Sequence, residues 1–177
     1  MQDDVKNMDQ TPEKKADHLI GRLQNLYAEY LEKNRKIEES NKSIAKLFEK
    51  WIRGYDSAAS DSMHQDFLDG IEKIVSDLVP LLEEIQKDKP DLCSDLAERA
   101  VRRIMVPKSK SRPKTNAEWF MTVAEYQCAP LLPFLKLEIM EEIRGKMFVV
   151  PKRMMFPKER EFFEEFEAIL KAKREQA

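Results

Sequence analysis

Large apolar side chains recur every seven residues through the first third of the chain, and this spacing constrains the fold more than any other feature. The repeat consists of Leu23, Tyr30, Ile37, Ile44 and Trp51. A seven-residue period keeps one seam of an α-helix against a partner helix along its whole length. We therefore predict a helix from about residue 13 to residue 52, with these five side chains as its helix-association seam.

A second heptad run follows a short loop at residues 54–61. It consists of Phe67, Ile71, Ile74, Leu78, Leu81 and Ile85. Because the loop is short, the two helices are predicted to fold back as an antiparallel hairpin over residues 11–88. In the alternative, the first helix pairs with its copy in a second molecule. Pro80 lies inside the second run and predicts a kink or a break near residues 76–80.

Glycine is scarce, with four residues in a chain of 177. Folds rich in β-structure need glycine in their tight turns, so the scarcity favours helices. We predict an all-α protein in which a long helical hairpin or coiled-coil-like arm packs on, or extends from, a compact helical bundle. The predicted division is a disordered N-terminus at 1–10, the heptad-patterned hairpin at 11–88, and a compact helical part with basic loops at 89–177.

The compact part is predicted to contain four helices. The first runs from about 91 to 105, and the second starts at a capping box, Thr115-Asn116-Ala117-Glu118. The third runs from about 131 to 144, and the fourth starts near Pro157. Residues 147–150 form the only β-like run, which fits an edge strand or an extended connector.

Within these helices the spacing of apolar residues predicts the buried faces. The first helix should bury Leu92, Leu96, Ala100 and Ile104, and the last should bury a stripe of Phe162, Phe163, Phe166, Ile169 and Leu170. Trp119 and Phe120 have the helical spacing of core residues, so we predict that they are buried and do not stack on nucleic-acid bases.

Several classes of protein are disfavoured by what the sequence lacks. The four glycines are isolated, so the chain has neither a P-loop nor a dinucleotide-binding loop. Cys93 and Cys128 are far apart in the sequence and are predicted to be reduced packing residues. The first 15 residues contain no apolar run, and no segment approaches the roughly 20 apolar residues of a membrane span. We therefore expect a cytoplasmic protein with no membrane partner and no cofactor.

The two ends of the chain carry opposite charge. Residues 1–98 contain 14 Lys and Arg against 22 Asp and Glu, a net charge of −8, whereas residues 99–177 contain 17 against 11, a net charge of +6. No aspartate follows Asp95. This asymmetry predicts a surface that meets something acidic.

The excess positive charge lies in two proline-flanked stretches between residues 99 and 160. The predicted binding residues are Arg99, Arg102, Arg103, Lys108, Lys110, Arg112, Lys114, Arg144, Lys146, Lys152, Arg153 and Lys158. An acidic protein partner, self-association, and the backbone phosphates of nucleic acid all fit this charge. The acidic N-terminal half of the same chain is a further candidate for what these residues contact.

Catalytic chemistry has weaker support in the sequence. Glutamates cluster at Glu138, Glu141 and Glu142 and again after Glu161, as in all-α metal-dependent hydrolases. However, the second cluster falls outside the phenylalanine stripe, so its carboxylates should not converge on an internal metal ion. His64 lies on the seam side of the second helix, where a packing role is the usual one. We therefore predict no catalytic and no metal-binding residues, and a non-catalytic role in interaction or assembly.

Overall fold

The computed structural model describes residues 11–41, 57–105, 116–147 and 151–177. Within these ranges the chain forms packed helices and no strand, which confirms the predicted all-α class. The predicted disordered segment 1–10, the basic loop after residue 106 and the β-like residues 148–150 lie outside the described residues. The elements are α1 (Pro12–Asn41), α2 (Ser57–Asp88), α3 (Pro90–Ile104), α4 (Asn116–Glu125), a 3₁₀-helix (Tyr126–Phe134), α5 (Leu137–Lys146), a short 3₁₀-turn (Lys152–Met154) and α6 (Pro157–Gln176).

Helix α1 packs against α2 in the antiparallel sense. Its N-terminal end lies near the end of α2, where Lys89 contacts Glu13, and Tyr30 lies beside His64 near the start of α2.

Of the predicted seam, Leu23 and Tyr30 are buried inside the chain and Ile37 is half-buried. Ile44 and Trp51 lie outside the described residues. The segment that joins the two helices also lies there, apart from residues 57–61, which were predicted as loop and belong to α2.

Helix α2 continues through Pro80, so the predicted break is absent. Pro80 is exposed, as is Ser76, the residue whose carbonyl loses its helical hydrogen bond. Water can therefore take the place of the missing N–H donor, and the helix tolerates the proline. The second heptad run also placed Leu81 on the seam, but Leu81 is only half-buried. Its neighbour Leu82 is the side chain that the core encloses, so the prediction was wrong at this position.

Helix α3 contacts both α1 and α2 and carries a broader buried face than predicted. Leu96, Ala100 and Ile104 are buried as expected, together with Cys93, Ala97 and Val101. Leu92 is instead 37% exposed, because the buried face is centred on Ala97 and Leu92 lies outside its edge. Cys93 and Cys128 are both buried free thiols, as predicted.

The segment predicted as one helix over 131–144 is divided in two. A 3₁₀-helix ends at Phe134 and α5 begins only at Leu137. Pro130 and Pro133 lack the N–H that an α-helix needs at those positions, so the chain between them stays in the 3₁₀ form. Helix α5 then runs past Gly145 to Lys146, one residue beyond the predicted stop.

Helix α6 begins at Pro157, as predicted from the sequence. Phe162, Phe166 and Leu170 of its stripe are buried, whereas Phe163 and Ile169 are half-buried. Buried side chains from α1 to α6 form one continuous apolar cluster, from Ala16 near the start to Leu170 near the end. Among the described residues, no helix is long and apolar enough to cross a membrane.

Candidate binding surface

The predicted basic residues on α3 are engaged by carboxylates of the same chain. Nη1 of Arg99 lies 2.7 Å from Oδ1 of Asp17 on α1. Arg102 contacts two carboxylates, with Nε 2.7 Å from Glu98 and Nη2 2.8 Å from Glu142 on α5. These ion pairs are largely exposed and therefore weak individually, but they orient the guanidinium groups toward the protein itself.

The basic residues of α5 are also paired. Lys146 donates to the same Glu142 carboxylate that receives Arg102, so one acidic side chain joins α3 to the end of α5. These two cations lower the pKa of Glu142 to about 2. Arg144 pairs with Glu167 of α6, and its guanidinium carbon lies 5.0 Å from the centre of the Phe163 ring.

The carboxylates of α1 pair with cations from both halves of the chain. Besides the pair between Arg99 and Asp17, Nζ of Lys89 lies 2.6 Å from Oε1 of Glu13. The hydrogen bond from Lys89, followed by one from Thr11, lowers the pKa of Glu13 to about 2. Arg99 therefore matches part of the opposite charge of the two halves, whereas Lys89 pairs with Glu13 within the acidic half.

Three of the predicted basic residues differ from these. Arg103 on α3, Arg153 in the short 3₁₀-turn and Lys158 in the first turn of α6 are exposed, and none forms an ion pair with another described residue. Lys152 adjoins Arg153 in the same turn. Lys108, Lys110, Arg112 and Lys114 lie outside the described residues, as does the side chain of Lys152.

An exposed group of apolar side chains lies beside two of these cations, Arg153 and Lys158, and the spacing of apolar residues in the sequence did not predict it. Phe156 is 57% exposed, Met154 is 48% exposed, and Trp119, which was predicted to be buried, is 36% exposed. The rings of Trp119 and Phe156 meet edge to face, with their centres 4.9 Å apart. We call these three side chains the apolar patch. It brings α4 into contact with the start of α6.

Phe156 occupies the N-cap position of α6, where side chains that accept hydrogen bonds are usual. The backbone N–H of Phe156 donates to Oε2 of Glu159 at 3.2 Å, so Glu159 satisfies this helix end. The phenyl ring has no capping role. An aromatic residue at a helix N-cap, outside the periodic stripe of the helix, was the sequence signal that could have indicated an exposed side chain.

Three glutamates of α5 and α6 pair with cations. Glu141 accepts from Arg174 at 3.0 Å, while Glu142 and Glu167 take the pairs already described. Among the residues that the structure describes, no group of three or more His, Cys, Asp or Glu side chains is placed to hold a metal ion.

His64 is buried, with 2% of its surface exposed. Its Nδ1 lies 2.8 Å from the hydroxyl of Tyr30, and its ring stacks on Phe120 with the centres 4.0 Å apart. Tyr30 in turn stacks on Phe67 at 3.9 Å. The imidazole of α2 therefore packs between aromatic rings of α1 and α4, in the core position that the seam predicted.

An open cleft of about 360 Å³ lies where the end of α2 meets the 3₁₀-helix and the last turns of α6. Its two lysines are engaged, since Lys136 pairs with Asp91 at 3.0 Å and Lys173 donates to the carbonyl of Pro133 at 2.8 Å. Burial lowers the pKa of Lys173. Both lysines of the cleft therefore take part in the packing of this end of the molecule.

No protein-family model matches the chain, and searches of curated proteins and of solved structures likewise return no match.

Proposed function

We propose that the protein is a non-catalytic interaction protein that binds an acidic protein partner through its unpaired basic residues. One observation carries the proposal. The predicted binding residues whose side chains the structure describes divide into cations that carboxylates of the same chain already hold and cations that no described residue holds. The second set consists of Arg103, Arg153 and Lys158.

The paired cations contribute to holding helices together, because Arg99, Arg102 and Arg144 each bridge two helices. The unpaired cations make no such contact, so the fold among the described residues gives no reason for their charge. A partner that brings carboxylates would supply the missing counter-charge, and its approach would be steered by the positive field. On this proposal, Arg153 and Lys158 are the centre of the contact, and the charge of the basic residues 108–114 adds to the positive field.

A binding assay with charge-reversed variants tests this proposal. The probes are fluorescent poly-L-glutamate and a random single-stranded RNA, titrated by anisotropy at two salt concentrations. The variant Arg103→Glu/Arg153→Glu/Lys158→Glu should bind poly-L-glutamate about tenfold more weakly than wild type, a loss of about 1.4 kcal/mol. The matched control reverses three exposed lysines of the acidic half that also form no ion pair with a described residue, Lys14, Lys33 and Lys87.

Equal losses in the two variants would contradict the proposed surface. Tighter binding of RNA than of poly-L-glutamate, with a steep dependence on salt, would assign the surface to nucleic acid instead. Nucleic acid remains the second proposal because the run from Lys108 to Lys114 has the charge density that phosphate backbones select.

We further propose that α1 and α2 are the two arms of one helical hairpin that closes through residues 42–56. The support is that Leu23 and Tyr30 of the seam are already covered by α2 and α3 of the same chain. A seam used internally leaves less apolar surface for a second copy. Light scattering should then give the monomer mass of 20.8 kDa, and a dimer would contradict the internal pairing.

A further inference from the structure

We infer that the apolar patch of Trp119, Met154 and Phe156 is an anchor site, and that the partner segment it takes is acidic and carries a large apolar side chain. This inference rests on the proposed function, because it specifies the partner of the same surface. Three features of the molecule support it: the direction in which three consecutive side chains point, the contact between two aromatic rings, and the charges on either side.

The chain at residues 154–156 turns one apolar side chain inward and two outward. Met155 is 7% exposed and joins the buried residues, whereas Met154 and Phe156 on either side are 48% and 57% exposed. Polar residues at the two outward positions would leave the burial of Met155 intact. Core packing therefore does not require methionine and phenylalanine there, whereas a partner that buries them would.

The patch is held in a defined arrangement. The edge-to-face contact between Trp119 and Phe156 joins α4 to the start of α6 across 37 positions of sequence. Glu159 fixes the backbone of Phe156 through its hydrogen bond to the N–H. Aromatic side chains that are ordered before binding lose little conformational entropy on association, which favours them as anchors.

The surroundings of the patch select an acidic segment. Arg153 is adjacent to Met154, Lys158 lies two residues after Phe156, and neither forms an ion pair with another described residue. Over residues 151–161 the sequence contains four Lys and Arg against two Glu, a net charge of +2. An apolar surface with cations on both sides complements a segment in which carboxylates flank a large apolar residue.

The experiment is a selection from a displayed library of random peptides for binding to the full chain. Wild type should enrich peptides that combine Asp or Glu with Leu, Ile, Phe or Trp. The variant Met154→Ser/Phe156→Ser should enrich acidic peptides without the apolar residue and should bind the wild-type peptides about tenfold more weakly. The matched control, Leu31→Ser/Leu92→Ser, replaces two exposed leucines outside the apolar patch and should select as wild type does.

A second readout follows the patch directly. In the Trp51→Phe background, Trp119 is the remaining tryptophan, and its emission should shift to shorter wavelength when a selected peptide covers it. Circular dichroism melting curves check that each variant is folded. An unshifted emission with bound peptide would place the contact elsewhere and overturn the inference.

The outcomes separate the two proposals. Enrichment of acidic peptides that lack apolar residues would overturn the anchor site and leave the proposed function standing. The absence of acidic enrichment would overturn the proposed function. Binding to phosphatidylserine-containing vesicles that Met154→Ser/Phe156→Ser abolishes, with no peptide enriched, would assign the apolar patch to a lipid surface and contradict both.

Discussion

The hydroxyl of Tyr30 and Nδ1 of His64 lie 2.8 Å apart, and this hydrogen bond joins α1 to α2 inside the core. Both residues are 2% exposed, so water does not replace the contact easily if one partner is removed. Tyr30 also stacks on Phe67, and His64 stacks on Phe120. A polar contact thus lies between two stacked ring pairs, and it fixes how the two long helices meet.

Removing the Tyr30 hydroxyl should destabilise the protein. Tyr30→Phe keeps the ring that stacks on Phe67 but leaves the buried imidazole nitrogen without this partner, at a cost of about 1–3 kcal/mol in the free energy of unfolding. Urea unfolding followed by circular dichroism measures the loss. Tyr126→Phe is the matched control, since no hydrogen bond of the Tyr126 hydroxyl is found among the described residues. Equal losses in the two variants would contradict the structural role of the contact.

Stability should fall at alkaline pH. Burial raises the pKa of Tyr30 to about 12 and also raises the pKa of Tyr27 and of Tyr126. Unfolded tyrosine ionises near its ordinary pKa of about 10. Stability should therefore be full below pH 10 and fall as the pH rises toward and past 12. Urea midpoints from pH 8 to 12, with tyrosinate absorbance, test this, and Tyr30→Phe should show a shallower decline over that range.

The ion pair between Glu13 and Lys89 should be visible as a shifted titration. The hydrogen bond from Lys89 is the largest cause that lowers the pKa of Glu13 to about 2, so its contribution to stability is present above about pH 4.5 and is lost as the pH falls through 2. Lys89→Ala should move the Glu13 carboxyl carbon titration upward in NMR. Lys87→Ala, which removes an exposed lysine two residues away, should leave it in place. An unchanged midpoint in Lys89→Ala would show that the pair does not form in solution.

Glu142 should control how much positive charge the protein presents. Glu142→Gln removes the carboxylate that receives both Arg102 and Lys146, so Lys146 loses its described partner while Arg102 keeps only Glu98. Glu138→Gln, on the same helix, changes the net charge equally without releasing a described cation. We expect Glu142→Gln to bind poly-L-glutamate about threefold more tightly than Glu138→Gln, measured by anisotropy at low salt. Equal affinities would mean that the paired cations already reach the partner.

Two helix glycines should respond differently to alanine. A Cβ at Gly21 meets nothing within 4 Å, so Gly21→Ala should raise the free energy of unfolding by about 0.5–1 kcal/mol. A Cβ at Gly70 would lie 2.9 Å from Cδ2 of Leu26 on α1, and that side chain would have to move. Gly70→Ala should therefore show a smaller gain or a loss in thermal and urea unfolding. An equal gain at both positions would argue against the close approach of α2 to Leu26.

Much of the helical content could be predicted because its causes are local. Prolines at the first helical position mark the starts of α1 and α6, and the seven-residue spacing identifies Leu23 and Tyr30 as buried. Each of these signals lies within a few residues of what it determines. The same kind of reasoning was wrong at Trp119 and Leu92, where the periodicity was helical but no neighbouring element covered the side chain completely.

The candidate surface was predictable only as a stretch of positive charge. Which cations are occupied depends on contacts between residues far apart in the sequence, such as Arg102 with Glu142 and Arg99 with Asp17, 40 and 82 positions away. The sequence by itself determined that the chain is helical and where its charge lies, because propensity, capping and composition act locally. Only the tertiary structure decided which charges and which apolar rings face outward, because that depends on how α3, α5 and α6 pack against one another.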